Sequence, residues 1–187
     1  LIHQFDHRLA CYSKRPEGSK DTELPRLDLN EKSDPARCVL PRYWVPEDEV
    51  EKRLAGRWGR CWLLGWRDIC RSTDERTMIS AIVPRSGVGG IHIAFPKRGV
   101  VSCLEATLNS FVLDYVARQK NSGTHLAFFI VKQLPILHPD YFSELASWDS
   151  KDTLAEWVNQ RVLELSYTSY DMDALGRDLR TPDMAAR

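Results

Sequence analysis

Three apolar runs of strand length occupy the centre of the sequence and constrain the fold more than any other feature. They are residues 61–69 (CWLLGWRDI), 77–83 (TMISAIV) and 90–95 (GIHIAF). Residues 72–76 and 84–90 separate them and are rich in turn-forming residues. The pattern predicts a small twisted β-sheet built from strands that follow one another in the chain.

Helical patterns surround this centre. Pro46 followed by acidic residues predicts a helix start, because proline suits the first turn and negative charge favours the positive end of the helix dipole. Residues 102–120 predict the clearest helix, with Ser102 and Glu105 as a capping box. Its expected apolar face consists of Leu104, Leu108, Phe111, Val112 and Tyr115.

The remaining patterns complete a mixed α/β (α+β) prediction. Residues 1–12 and 39–45 predict extended segments, and the polar stretch 13–37 predicts an exposed connection. Helical patterns recur at residues 141–148, 153–165 and 172–179. The expected fold is a small twisted sheet packed on helices, with a helical C-terminal tail.

The expected organisation has three parts. Residues 1–37 form an N-terminal strand and exposed connection, residues 38–139 an α/β domain, and residues 140–187 a helical segment. The chain begins at Leu1 rather than methionine, so we expect it to be a piece of a longer protein.

The charge distribution favours a polyanion as partner. The whole chain is neutral, with 26 basic and 26 acidic residues, but residues 52–132 carry 13 basic and only five acidic side chains. A basic centre between acidic flanks is typical of a polyanion-binding module. An accident of local composition is the alternative.

The cysteines and the apolar runs indicate the compartment. Five cysteines, with no C-x-x-C spacing, argue against a disulfide framework or a structural zinc site and favour the cytoplasm. Cys61, Cys70 and Cys103 are expected to be small core residues. No apolar run approaches the roughly 20 residues that span a bilayer, so no membrane association is expected.

No catalytic motif is convincing. Glycine-rich phosphate loops and a nucleophile elbow are missing from the sequence. His3 and His7 would lie too far apart on a strand to share a metal ion. A loose nuclease pattern, Asp140 with Asp149 and Lys151, would need Mg²⁺, but Asp149 and Asp152 are better interpreted as helix caps. We therefore assign no catalytic and no metal-binding residue.

Basic and hydroxyl side chains near the strand ends predict contacts to DNA. Arginine in a loop donates two hydrogen bonds at once, which suits phosphates and guanine edges. Alternatively, these arginines brace the turns by pairing with Asp68, Asp74 and Glu75. A second basic group, which includes Arg118, follows the long helix and could be either a phosphate clamp or a helix C-terminal cap. The predicted DNA-binding residues are Arg67, Arg71, Thr73, Arg76, Thr77, Arg85, Lys120, His125 and Lys132.

Several segments resemble a known family. PRYWVPEDEVEKRL, WLLGWRDICRSTDERTMISAIVPRSGVG and LNSFVLDYVARQKNSGTHLAFFIVKQLPIL resemble the target-recognition (TaqI-like specificity) region of fused adenine-specific DNA methyltransferases, found in type IIG restriction–modification and phage-exclusion systems. IHQFDHRLACY and RVLELSYTSYDMDAL resemble the segments that precede and follow that region. The likeness covers residues 1–12 and 38–180, with RDICRSTDERT as its most specific motif, while residues 84–100 fit poorly.

The resemblance implies a function that is not catalytic by itself. The glycine-rich S-adenosylmethionine loop and the Asn-Pro-Pro-aromatic motif of the family do not occur in this sequence. The chain would read double-stranded DNA, while an upstream methyltransferase core of the same polypeptide binds S-adenosylmethionine and methylates adenine N6. The alternative function is a structural or protein-docking module of the same enzyme.

Overall fold

The computed structural model describes residues 2–19, 24–97, 100–149 and 151–180. The last seven residues of the expected C-terminal segment lie outside these ranges, and so does Ser150, between Asp149 and Lys151 of the nuclease-like pattern. The strands are β1 (Trp62–Arg67), β2 (Ser80–Pro84) and β3 (Ile91–Ala94). The α-helices in this part of the chain are α1 (Leu29–Ser33), α2 (Glu47–Leu54), α3 (Val101–Leu108), α4 (Phe111–Lys120), α5 (Phe128–Val131), α6 (Leu154–Ser166) and α7 (Asp173–Arg180).

The three strands form one antiparallel sheet in the order β2-β1-β3, which confirms the mixed α/β prediction. Leu64 pairs with Ile82 of β2 and with Ala94 of β3, so β1 is the central strand. Gly65 allows β3 to approach closely, because a Cβ atom there would lie 2.8 Å from the His92 carbonyl oxygen. A larger residue would push β3 away from β1.

Both faces of the sheet are covered, which explains why the strands read as continuous apolar runs. On one face, Trp62 and Leu64 of β1 pack with Leu175 of α7. On the other face, Leu63 packs with Leu54 of α2. The core therefore lies on both sides of β1 and fixes its position in the domain.

The predicted single helix over residues 102–120 is wrong, because α3 and α4 are separate. Asn109 lies between them and pairs with Ser80 of β2 through both atoms of its side-chain amide, at 3.0 Å each. Ser110 caps α4 by accepting from the Leu113 N–H. Ser102 lies inside α3 and donates to Asn159, so the expected Ser102 capping box does not form.

The break changes which side chains of α4 are buried. Leu113 and Ala117 enter the core, whereas Phe111, Val112 and Tyr115 are 83%, 75% and 66% exposed. A continuous helix would have aligned these three with the buried residues of α3. The structure instead leaves them as an exposed apolar stripe.

Other local predictions also differ from the structure. Residues 2–11 form isolated bridges rather than a strand, and residues 39–45 form an irregular exposed segment. Residues 141–148 contain only the end of a 3-10 turn, Pro139–Ser143. Cys61 is exposed, unlike the buried Cys70 and Cys103. The segments predicted as extended or helical lack a neighbouring strand or helix to pair with over several residues, and short unpaired elements are marginally stable.

The C-terminal helices confirm the expected tail, although their cap differs from the prediction. Thr153 is the N-cap of α6 and forms a capping box with Glu156. Asp149 does not cap the helix; it accepts a hydrogen bond from the Lys151 N–H in the preceding turn. No helix among the described ranges has the length and apolar character needed to cross a membrane.

Replacing Thr153 with alanine is expected to lower the free energy of unfolding by about 1 kcal/mol, because the Glu156 N–H loses its acceptor. Asp149→Ala is the matched control and should change it by less than about 0.5 kcal/mol. Urea denaturation measures both. A larger loss of stability for Asp149→Ala than for Thr153→Ala would contradict the assignment of Thr153 as the N-cap of α6.

Candidate nucleic-acid interface

Two connections lie side by side at the C-terminal end of β1. One joins β1 to β2 and the other joins α4 to α5. The Leu126 N–H donates to the Asp68 carbonyl at 2.7 Å, and the Cys70 N–H donates to the Thr124 carbonyl at 3.1 Å. These bonds extend the pairing of β1 beyond the sheet and hold the two connections together.

Side chains of α4 hold the connection between β1 and β2 in place. Asp114 is buried and its Oδ1 accepts from the backbone N–H groups of Thr77 and Met78 at 2.8 and 2.7 Å. Arg118 donates to the carbonyls of Ser72 and Glu75 at 3.0 and 2.9 Å. Arg118 therefore braces the turn instead of extending from it, and the turn has a defined shape.

Five of the nine predicted DNA-binding residues are exposed on these two connections, at the end of α4 or directly after α5. The side chains of Arg71, Lys120 and Lys132 make no hydrogen bond or ion pair with any described residue. Thr73 and His125 are exposed beside them. We call this surface the loop face: Arg71, Thr73, Lys120, His125 and Lys132.

The other four predicted residues have partners inside the protein. Arg67 donates to the Ile2 carbonyl, and burial lowers the pKa of its guanidinium. Arg85 pairs with Glu51 at 3.2 Å. Arg76 and Thr77 are held in the turn that Asp114 anchors.

Arg76 turns towards α4 rather than projecting beside Arg71. Its guanidinium donates to the Asn109 carbonyl and lies 4.4 Å from the centre of the Phe111 ring. Thr77 is fully buried and its hydroxyl donates to the Arg71 carbonyl at 3.0 Å. Among the described residues, no ion pair joins the predicted arginines to the Asp68, Asp74 or Glu75 side chains. Backbone carbonyls hold Arg67 and Arg76, Asp114 lies 3.7 Å from Arg76, and Glu51 pairs with Arg85.

Asp68 joins two histidines at the edge of the loop face. Its Oδ1 lies 2.9 Å from His92 Nε2 of β3, and its Oδ2 lies 3.0 Å from His125 Nδ1. The hydrogen bond from His125, together with that from His92, holds the pKa of Asp68 below its usual value. The sequence analysis missed His92, because only the β1–β3 pairing brings it to Asp68.

An aromatic cluster packs against His92, one of the two histidines bonded to Asp68. The Phe128 ring lies 4.9 Å from Trp66 and 4.8 Å from His92, and the Trp66 indole donates to the Leu126 carbonyl at 2.8 Å. Phe129, next along α5, is 67% exposed. Phe128 thus contacts the histidine that holds Asp68 at the edge of the loop face.

The residues considered for catalysis or metal binding do not converge. Within the described ranges, no group of three acidic, histidine or cysteine side chains is arranged to hold a metal ion. His7 is buried and bonds to Asp171 at 3.0 Å, while His3 is exposed. Asp140 pairs with His138 at 3.3 Å.

A cavity of about 1100 Å³ lies between α6, α7 and the Pro139–Ser143 turn. Arg60, Asn159 and Asp178 contribute polar groups to its wall. None of the nine predicted DNA-binding residues lines it. The cavity and the loop face are therefore separate features.

Comparison of the chain with protein-family models, with curated proteins and with solved structures finds no match. Function is accordingly inferred from the residues of the loop face and their chemistry.

Proposed function

We propose that this chain is a DNA-binding target-recognition module of a site-specific adenine-N6 DNA methyltransferase of a restriction–modification system. In this proposal the loop face contacts double-stranded DNA. The observation that supports it most is a set of three exposed cations, Arg71, Lys120 and Lys132, whose side chains make no hydrogen bond or ion pair with any described residue. Arg71 lies on the anchored β1–β2 connection, Lys120 ends α4 and Lys132 follows α5. Methyl transfer and S-adenosylmethionine binding belong to the upstream methyltransferase core.

The electrostatics favour a phosphate backbone as partner. Two of the five acidic residues in the basic region, Glu105 and Asp114, are buried. Of the other three, Asp68 is bonded to two histidines, Asp74 accepts from the Arg71 N–H at 2.8 Å, and Glu75 is exposed. Residues 52–132 still carry 13 basic side chains against five acidic ones, which favours contact with a polyanion.

The side chains of the loop face also suit the reading of a base. Arg71 is exposed and its backbone is fixed by Asp74 and by Thr77. A guanidinium on a rigid turn is suited to bidentate contact with guanine O6 and N7. We assign Arg67, Arg76, Arg85 and Thr77 to supporting this turn and the sheet beneath it, rather than to DNA contact.

Alanine at Arg71, Lys120 or Lys132 is expected to weaken DNA binding by the full chain. A residue that contacts only phosphate should lower the slope of log affinity against log salt by about 0.9, equally for all sequences. A residue that reads a base should cost about 1–3 kcal/mol at the cognate site alone. Fluorescence anisotropy with short duplexes at two salt concentrations measures both effects.

Arg57→Ala and Lys151→Ala are the matched controls. Both side chains are exposed and, among the described residues, make no ion pair, and Arg57 precedes β1 at the opposite end of the sheet. These variants should leave affinity and salt slope unchanged. If all five variants behave alike, the loop face is not the DNA-binding surface.

The exposed stripe of α4 favours the docking module as a second candidate. Phe111, Val112 and Tyr115 form an apolar surface on one helix, and such surfaces mark contacts between proteins. The same titrations separate the two functions, because phosphate contacts weaken steeply with salt and an apolar protein contact does not. If the chain shows no salt-dependent DNA binding, the docking function takes precedence.

A further inference from the structure

We propose that His125 is a proton-dependent phosphate contact of the loop face and that Asp68 is its positioning residue. In this proposal, which rests on the proposed function, DNA binding takes up a proton at His125. The affinity of the chain for DNA therefore rises as the pH falls. The anionic ligand is a phosphate of the DNA backbone.

The geometry determines which imidazole nitrogen faces the ligand. An ionised carboxylate only accepts hydrogen bonds, so His125 Nδ1 must carry a proton to donate to Asp68 Oδ2 across 3.0 Å. In the neutral imidazole, Nε2 is then an acceptor, which phosphate oxygens cannot bond. In the protonated imidazole, Nε2 becomes a charged donor, the form that a phosphate requires.

The two histidines bonded to Asp68 differ in their exposure to solvent. The His125 side chain is 62% exposed, so its ring is open to a ligand. The His92 side chain is 26% exposed and its ring packs against Trp66 and Phe128. His92 therefore holds the carboxylate from the β3 side, and His125 is the partner that meets solvent.

The fixed backbone supports a defined position for the ring. Ile69 and His125 form an antiparallel bridge, and the bonds of Asp68 and Cys70 to residues 126 and 124 flank it. The ring thus has both its main chain and its Nδ1 atom fixed. The side chain of His125 therefore loses little conformational entropy when a phosphate binds.

The charges around His125 explain why the proton is taken up with DNA. Asp68 faces the ring from β1 and shares its carboxylate with His92 of β3. Arg71, on the β1–β2 connection, and Lys120, at the end of α4, are the exposed cations of the two elements that lead to and from His125. A phosphate bound at Nε2 attracts the proton of the imidazolium, and by linkage the protonated form binds the phosphate more tightly.

The test is the pH dependence of the dissociation constant of the full chain for a short mixed-sequence DNA duplex. Fluorescence anisotropy from pH 5.5 to 8.5 at constant ionic strength is expected to show tighter binding as pH falls. Uptake of one proton limits the change to about tenfold per pH unit. His125→Gln should abolish the pH dependence, and Asp68→Asn should move it to lower pH.

His138→Gln is the matched control, because His138 also lies beside a carboxylate, Asp140, at 3.3 Å, and is not part of the loop face. This variant should keep the full pH dependence. A dissociation constant that does not vary with pH in the unmodified chain overturns the inference. An unchanged pH dependence in His125→Gln overturns it equally.

A second measurement needs no variant. The NMR titration of the His125 ring in the unmodified chain should move to higher pH when the duplex is added, and an unmoved titration contradicts the proposal. The failures are distinguishable. Salt-dependent DNA binding without proton uptake at His125 refutes this inference alone, whereas no salt-dependent binding at any pH refutes the proposed function.

Discussion

Replacing Glu105 with glutamine is expected to remove a decline in stability with rising pH. Glu105 is fully buried between β2 and α6, and burial raises its pKa from 4.5 to about 8, although the Ile82 N–H and the Ser166 hydroxyl favour the charged form. The carboxyl is therefore neutral in the folded protein at pH 7 and ionised in the unfolded chain.

The sign of the effect follows from proton binding. Between the two pKa values the folded state holds the proton and the unfolded state does not, so raising the pH favours unfolding. The contribution is present in full below pH 4.5 and is lost as the pH rises to about 8. Each pH unit is worth about 1.4 kcal/mol, so the whole loss is on the order of 5 kcal/mol.

Urea denaturation at several pH values measures this loss. The difference in unfolding free energy between the unmodified chain and Glu105→Gln should shift in favour of the variant as pH rises from 5 to 8. Glutamine retains an acceptor for the Ile82 N–H and does not ionise. Parallel curves for the two proteins would show that Glu105 is not protonated in the fold.

Asp114→Ala is expected to cost about 3–5 kcal/mol of unfolding free energy. The substitution leaves the buried N–H groups of Thr77 and Met78 without their acceptor. It also removes a carboxylate 3.7 Å from Arg76 and 3.2 Å from Arg118. Chemical denaturation measures the loss.

Two control variants identify the cause of that loss. Asp114→Asn keeps an acceptor and the volume, so it should cost less than Asp114→Ala. Asp140→Ala removes a carboxylate that is 89% exposed and should change stability by less than about 0.5 kcal/mol. A cost below 1 kcal/mol for Asp114→Ala would mean that α4 does not anchor the turn that carries Arg71.

The candidate site was predictable only in part. The charge asymmetry and the turn residues pointed to the region in which the candidate site lies, and five of the nine predicted residues are exposed there as the loop face. The sequence does not reveal that Arg67 bonds to Ile2 or that Arg76 bonds to Asn109. An arginine in a turn looks the same in sequence whether it points outward or inward, because its partner is distant in the chain.

The sequence by itself determined the three strands, α2, α6 and the C-terminal helix. Each has a local cause, such as a continuous apolar run between turns or the acidic first turn after Pro46. These signals act within a few residues, so no knowledge of the fold is needed to read them.

Only the tertiary structure decided where α3 ends and which charges meet. The chain leaves the helical path at Ser110, directly after Asn109, whose amide pairs with Ser80, 29 residues earlier. A helix pattern carries no trace of that bond. Asp68 and His92 likewise meet through the β1–β3 register. Burial and long-range hydrogen bonds outweigh helix propensity here, since propensity is worth less than about 1 kcal/mol per residue, whereas a buried unpaired polar group costs about 1–3 kcal/mol.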